Sequence, residues 1–558
     1  MPWLLPIHSE PWSTFYQEVL VALLVAFLWL FLLLRDDVAW CLDRVSIFFF
    51  IVIGLVVVQA FFGVYVLSEE YILVVSYLLV CVVSISIGYR VAYLDKAWFL
   101  SLLYGGFLVA GLLSVFLAVY QWLGLGILGS IVFYEDNFTR ASANLAQPNN
   151  LATLLGWACI SVWWFYGRKG FSGCVSFCLV VFLLLGVALT GSRTGQIQVF
   201  VLIFLSWLFN RHCRRAGRSE GVVPSCVLCF VFCLVVFFNV VLVPCLADFF
   251  EHDSRSIISY SSVGVRLSFW QMSIVSLLDS PLIGVGWNQS VSVHIRLAEI
   301  YNYLPSVMGS AHNVVLDILL WNGPVLGGGG VVLSFFWIAR QRKIFFDDTA
   351  FFLLALLVVF FIHAFLELPH LYLFFIVPSC MAVGMLTFYS GLGGGVGIPR
   401  SLSIVFCLAF IASLWQVFGE YKYIEEDNSA HKRFVARIAG VSYPEPQFIF
   451  FLNSLRDAFL VSRIEPVRNM AESDVDSLRR LAHRYPSAGI LARYAEALAL
   501  NGEASESSKA LKLICNLRGP DVCASSISAW RARAMLGRWE MNEVVLPESF
   551  PRDRLMYR

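Results

Sequence analysis

Charge is the scarcest feature of this chain. Only 14% of its 558 residues are Asp, Glu, Lys or Arg, and 39 basic side chains against 38 acidic ones leave a net charge of +1. A balance so close to zero excludes the basic footprint that nucleic acid requires, so no nucleic-acid partner is expected. Nucleotide fingerprints are lacking too. No Gly-rich phosphate loop stands in the polar connections, which argues against ATP-driven transport. Metal-ligand spacing is equally scarce: most of the 14 cysteines lie inside apolar runs, where Cys behaves as a small hydrophobe. Cys174/Cys178 and Cys229/Cys233 are one helical turn apart but have no His or carboxylate beside them, so neither a metal nor a cofactor is expected. The apolar run after Glu18 has no basic start and no small-residue cleavage site, unlike a signal peptide.

Apolar residues fill the space that charge leaves. They make up 59% of the chain, and the mean hydropathy of +0.76 lies outside the range of soluble domains. The expectation is an all-α polytopic membrane protein. Measured against the roughly 20 residues that cross hydrocarbon, the apolar runs predict about twelve transmembrane helices. They lie near 19–34, 45–66, 71–89, 97–123, 150–166, 173–190, 196–209, 224–245, 313–339, 350–366, 371–389 and 402–418, the first and seventh being short.

Alternate connections differ in charge. One set carries Arg35, Arg44, Arg90, Lys96, Arg168, Lys169, Arg211, Arg214, Arg215, Arg218, Arg340, Arg342, Lys343 and Arg400. The other carries mainly Arg140, Arg193, Arg255, Arg266 and Arg296. By the positive-inside rule the first set is cytoplasmic and both termini are outside, in the periplasm if the cell is Gram-negative. Residues 1–418 then form a membrane domain with a long outer connection at 247–311, and 419–558 form a small periplasmic α-helical C-terminal domain. Within that tail, 477–514 reads as a helical hairpin broken at Asn501-Gly502, and Cys515 and Cys523 would pair if the compartment is oxidising.

Polar side chains in such a chain need a reason. "RASANLAQPNNLATLL" (140–155) gathers four carboxamides around Pro148, and either Asn149 or Asn150 caps the fifth span or the cluster holds a ligand. Arg193 in "GSRTGQ" is costly at membrane depth, so it either snorkels to the interface or meets an anionic ligand. Arg266, in an amphipathic run, either anchors to lipid headgroups or binds substrate. His312 in "SAHNVVLDILLWNG" is a helix-end residue or a base able to take a proton near neutral pH. His363, Glu367 and His370 surround a helix-breaking Pro369, either as satisfied polar groups of a kinked helix or as part of a site. Two arginines, a histidine, carboxamides and a tyrosine on one side suit an anionic, lipid-borne substrate.

In order along the chain, "RASANLAQPNNLATLL", "SRTGQ", "VGVRLSFWQMSIVSLLDSPLIGVGWNQ", "AHNVVLDILLWNG" and "ELPHLYLFFIVP" resemble the PglL-type protein O-oligosaccharyltransferases of the O-antigen ligase and Wzy polymerase superfamily. The resemblance runs from "LPIHSEPWSTFYQE" to "RYPSAGILARYAEALALNGE", and the "NLAQPN" segment with the helical tail favours the protein-glycosylating branch. It implies a glycosyltransferase of the bacterial inner membrane that moves a glycan from an undecaprenyl-diphosphate carrier to Ser or Thr of a periplasmic protein, such as a type IV pilin. It further implies His312 as general base, with Arg193 and Arg266 holding the diphosphate. Gln147, Asn149 and Tyr372 would position glycan or carrier, and Asn144, Arg140 and Asn313 complete the substrate-binding set. The chain departs from the family in Ala143 where Gly is usual, in Trp321 where Glu is usual, and in the tetraglycine Gly327–Gly330, expected to loosen helix packing. Ligation of glycan to lipid A core or sugar polymerisation is the alternative enzyme activity. Flipping of a lipid-linked sugar is the non-enzymatic one.

If the carboxamides serve a ligand, Gln147→Ala loses transfer more severely than Asn150→Ala in an activity assay. Equal and mild losses would return the segment to a helix cap.

Overall fold

The computed structural model describes the chain except residues 1, 36–38, 68, 95, 135–139, 218–220, 250–260, 280, 281, 299, 301–303, 305, 346 and 548–558. Arg255 and part of the long outer connection therefore lie outside the described residues. The protein is overwhelmingly helical. Helices α1 (Phe15–Arg35), α2 (Arg44–Phe61), α3 (Glu70–Leu94), α4 (Lys96–Trp122), α5 (Pro148–Gly167), α6 (Gly173–Leu189) and α7 (Arg193–Arg215) make the first half. They are followed by α8 (Ser225–Phe237), α9 (Val243–Phe249), α10 (Ser261–Leu278), α11 (Ser290–Leu297), α12 (Val314–Gln341), α13 (Asp348–Ala364), α14 (Leu373–Tyr389) and α15 (Arg400–Val435). The C-terminal helices are α16 (Asn453–Ser462), α17 (Glu472–Arg484), α18 (Ala488–Leu500), α19 (Ala504–Arg518) and α20 (Pro520–Ala534). A two-stranded antiparallel ribbon pairs β1 (Trp40–Asp43) with β2 (Gly395–Ile398), Trp40 facing Ile398.

Helices occupy all of the apolar runs, as hydropathy predicts. Among the described residues, seven helices are long and apolar enough to cross a membrane, and α6, α13 and α14 are shorter apolar helices. The protein is a multi-pass membrane protein. The seventh run is short, as expected, but its helix is not: α7 has 23 residues, because a capped start at Arg193 and a basic end through Arg215 extend it beyond its apolar part. Helix α15 runs unbroken through position 418, where composition alone placed a boundary.

The chain divides into two compact units. The first comprises Met1–Ile51, Tyr77–Ser259 and Ser334–Gln416, and the second Val52–Ser76, Tyr260–Leu333 and Val417–Arg558.

The first unit is held by close helix approach, since burial of apolar surface drives nothing between helices already surrounded by lipid. Small residues make that approach possible. A Cβ on Gly88 of α3 would stand 2.0 Å from the Met381 carbonyl oxygen of α14, and one on Gly384 would stand 1.9 Å from that of Ile85. Gly111 of α4 meets Ala158 of α5, and Gly195 of α7 meets Ala152 of α5, in the same way. Aromatic rings fill the wider gaps: the buried Trp157 packs against Phe107 at 4.7 Å and donates its indole N–H to the Leu356 carbonyl.

The second unit contains a break in α12 that apolar surroundings would forbid if its backbone went unpaired. The break lies at Gly323-Pro324, Gly323 having φ 79°, while the tetraglycine remains helical. Neighbouring chain takes up the freed groups: Val285 N–H donates to Leu320 O and Gly286 N–H to Trp321 O, and Gln59 Nε2 donates to both Ile283 O and Trp321 O. Trp321 itself gives its indole N–H to Ser290 at the start of α11.

The tail helices form their own core from Leu491, Ala495, Ala499, Leu511, Ile514 and Trp530, with Ala298 buried in it. The break expected at Asn501-Gly502 separates α18 from α19, a further break precedes Ala488, and Cys515 is bonded to Cys523. Ion pairs bind the tail to itself (Arg463 with Asp427) and to the start of α3 (Arg484 with Glu70, both mostly buried).

Gly384→Ala should lower the thermal stability of the detergent-solubilised protein by about 1–3 kcal/mol through overpacking. Gly54→Ala, where a Cβ meets nothing within 4 Å, should leave the melting temperature nearly unchanged.

Candidate functional site

The carboxamide segment starts from a strained turn. Ala143 and Ala146 both adopt left-handed backbone, with φ 48° and 56°, on either side of Asn144. This conformation costs an L-residue roughly 1–2 kcal/mol and explains why glycine suits position 143. The turn persists because its surroundings hold it. Asn144 Nδ2 donates to the carbonyls of Leu4 and Ile131, its Oδ1 accepts from Phe133 N–H, and its own carbonyl is 2.9 Å from His8 Nε2. Gln121 adds a second brace, its Oε1 accepting from the amides of Ser142 and Ala143. Asn144 thus spends its amide on backbone, and the leading "LPIH" segment is part of the scaffold.

Neither Asn149 nor Asn150 caps α5. The N-cap position is Gln147, without a side-chain cap, and Pro148 follows at the first turn, where its missing N–H costs nothing. Asn149 instead joins three elements. Its Nδ2 donates to Glu367 Oε1 at 2.8 Å, and its Oδ1 accepts from Ser192 Oγ at 2.7 Å and from Arg140 Nη2 at 3.3 Å. Ser192 in turn caps α7, accepting Gly195 N–H at 3.0 Å, and Arg140 Nε reaches the Thr190 carbonyl at 2.7 Å. The first turn of α7 is therefore fixed by side chains from both neighbours. One turn deeper, Thr153 Oγ1 lies 2.9 Å from His363 Nδ1 and accepts from Gln198 Nε2, so the polar ladder continues between α5, α13 and α7.

Arg193 is the first residue of α7 and its side chain is exposed, whereas Ser192, Thr194 and Gly195 around it are buried. A permanently charged guanidinium thus stands on a rigid helix end whose dipole also favours anions. Gln147 is half-buried, and its Oε1 atom is buried without a protein hydrogen-bond partner. Such an oxygen is unusual, because buried polar atoms are nearly always satisfied. Tyr372 is the N-cap residue of α14, stacked on Phe374 at 5.2 Å, and the adjacent Leu373 N–H donates to Glu18 Oε2 of α1 at 2.7 Å.

In the second unit the structure brings Arg266, His312 and Asn313 into one neighbourhood. Arg266 lies on α10 one turn before Phe269, whose ring stacks on His312 with centroids 6.0 Å apart. His312 is half-buried and has left-handed backbone, φ 53°. Asn313 caps α12, its Oδ1 accepting from the amides of Val315 and Leu316. His294 of α11 is buried, and burial first, then the nearby Arg518, pulls its pKa down to about 4. The ring is therefore neutral at neutral pH, and its Nδ1 accepts Met308 N–H at 3.0 Å.

Several of these residues escape a reading of sequence. Ser192 carries a recognisable signal, a hydroxyl before a helical run. Glu367 and His363 were visible as ionisable groups near a proline. Thr153 and Gln198 gave none, since their partners lie far off in sequence, and nor did His294, which is marked only by the Met308 amide it accepts.

The protein is a multi-pass helical membrane protein with Arg193 at the start of one helix and Asn313 capping another. Comparison with known proteins shows what the chain resembles. Residues 178–329 match the O-Antigen ligase family model and 351–514 match that of the virulence factor membrane-bound polymerase, C-terminal. The chain is 25% identical over 550 residues to a general O-oligosaccharyltransferase of Acinetobacter baylyi, an alignment covering 96% of this chain and 94% of the relative. It is 23% identical over 390 residues to a ComP-specific O-oligosaccharyltransferase of the same organism, covering 69% and 68%. These matches show the chain to be similar to O-antigen ligases and to O-oligosaccharyltransferases, the resemblance that its motifs carry.

Asn149→Ala removes a donor from the buried Glu367 carboxylate and an acceptor from Ser192. It should lower stability by about 2 kcal/mol in thermal unfolding. Asn150→Ala, whose Oδ1 has no protein hydrogen-bond partner, should cost less than about 1 kcal/mol.

Proposed function

We propose that the protein transfers a glycan from an undecaprenyl-diphosphate carrier to the hydroxyl of Ser or Thr on a periplasmic protein, a pilin being the candidate acceptor. The acceptor oxygen attacks the anomeric carbon, the bond from that carbon to the diphosphate oxygen breaks, and undecaprenyl diphosphate leaves with the electron pair. The hydroxyl proton passes to His312. Arg193 and Arg266 bind the diphosphate and stabilise the charge it gains, which fixed guanidinium groups do bidentately and without reorganisation. Gln147, Tyr372 and Arg140 orient glycan or carrier, while Asn149, Asn144 and Asn313 shape the segments that carry the contacting groups.

The observation that carries this reading is Arg193. It is an exposed, permanently charged side chain on a helix end locked by Ser192, Asn149 and Arg140, in a chain related over 96% of its length to an O-oligosaccharyltransferase. The distribution of Lys and Arg favours an inner-membrane protein with this end of α7 facing the periplasm. The Cys515–Cys523 bond agrees with a tail in an oxidising compartment. The family models themselves, named for a ligase and a polymerase, favour a second reading in which the acceptor is another glycan or lipid A core.

Reconstitution of the purified protein with an undecaprenyl-diphosphate glycan and candidate pilins tests both. Mass spectrometry should find the glycan on a pilin Ser or Thr without added nucleotide, and His312→Ala should abolish transfer while the protein still inserts and folds. Glycan on lipid A core alone would select the second reading, and full activity of His312→Ala would remove the histidine from the chemistry.

A further inference from the structure

His312 belongs to a short connection that is gripped at both ends by buried polar side chains. Upstream, Met308 is fully buried and its N–H donates to Nδ1 of His294, which is 1% exposed. Downstream, Asp317 in the first turn of α12 is 0% exposed; its Oδ1 accepts Ala311 N–H at 2.8 Å and its Oδ2 accepts the Ser310 hydroxyl at 2.5 Å. Ser310 Oγ then accepts His312 N–H at 3.0 Å. Five residues are thus held by a carboxylate and an imidazole whose burial costs free energy unless those bonds are made.

The same groups frame the His312 ring. Phe269 stacks on it from α10, and the same ring meets His294 edge-on, with centroids 6.3 Å apart. His294 also stands on a helix that the tail holds: Ala298 is buried among Leu491, Ala495 and Trp530, and Ile295 packs against that cluster. A left-handed backbone at a non-glycine residue persists only where the surroundings over-determine it, and here they do.

We propose that His294 and Asp317 are positioning residues that hold His312 in its left-handed conformation against Phe269, and that α11 makes the C-terminal helices part of this support. The proposal rests on His312 as the base. It gives the tail a task in catalysis beyond any contact with acceptor, because loosening α11 releases Met308 and with it the connection that carries the base.

The test uses full-length protein in the reconstituted transfer assay. His294→Leu and Asp317→Leu keep apolar bulk and remove the acceptors; each should lower kcat by about 100-fold, the scale of a displaced reacting group, with KM for the donor within about twofold. His294→Asn, whose carboxamide oxygen replaces Nδ1, should recover kcat to within about fivefold of native, which a merely structural role would not require. Ser310→Ala, the mildest variant, should lower kcat by about tenfold with KM unchanged, and it decides the matter if the leucine variants do not fold. Native kcat in Ser310→Ala, or in folded leucine variants, alongside an inactive His312→Ala, overturns the positioning role and leaves the base intact. An active His312→Ala instead overturns the base and this inference with it.

Discussion

A polar side chain inside a bilayer must be satisfied by the protein itself, by water or by a ligand, and this structure is organised around that requirement. Asn149 shows how it is met. One carboxamide serves Glu367, Ser192 and Arg140 at once, and so ties α5 to the end of α7 and to the turn after α13. Beside these pairs stand two features of another kind: Arg193, exposed on a fixed helix end, and Gln147, whose side-chain oxygen is buried without a protein hydrogen-bond partner. The internal pairs supply rigidity, and Arg193 and Gln147 belong to the chemistry proposed for substrate.

The second unit meets the same requirement by another route. Helix α12 breaks at Gly323-Pro324, and the segment at 283–286 with Gln59 takes up the freed carbonyls. At the other end of that segment of α12, Asn313 caps the helix and Asp317 turns back to hold the residues before it. His312 thus sits between two helix-end devices rather than in a pliable loop. A histidine so placed presents one face of its ring to Phe269 and has little freedom to leave it. For a base that must meet a hydroxyl proton within hydrogen-bond reach, that restriction is an advantage.

Much of the fold was legible because hydropathy reports burial in lipid directly. The apolar runs all became helices, and the polar tail became helices whose core also takes in Ala298 of the long connection. The features that hydropathy does not report have physical causes. α7 outruns its apolar part because Ser192 caps it and basic residues finish it, neither of which raises hydropathy. The tetraglycine drew attention, yet the helix breaks a few residues earlier, where glycine and proline adjoin and a neighbouring segment supplies hydrogen bonds. The site was legible in its residue types and opaque in its roles. Asn144, read as a substrate-binding residue, also braces backbone, and of the two readings of Asn149 and Asn150 the helix cap gives way to a junction of Asn149 with α7 and the turn before α14. His294 and Asp317 could not be found in sequence at all, since what marks them is the backbone they hold.

If Arg193 and Arg266 bind the diphosphate while the histidine acts only on the acceptor proton, donor binding and proton transfer must separate. Equilibrium binding of undecaprenyl diphosphate, without glycan or acceptor, measures the first alone. Arg193→Gln and Arg266→Gln should each weaken it by roughly tenfold or more, the value of one charge-assisted contact to phosphate, and His312→Ala should bind as the native protein does. Native affinity in both arginine variants, or a loss in His312→Ala equal to theirs, would contradict this division of labour.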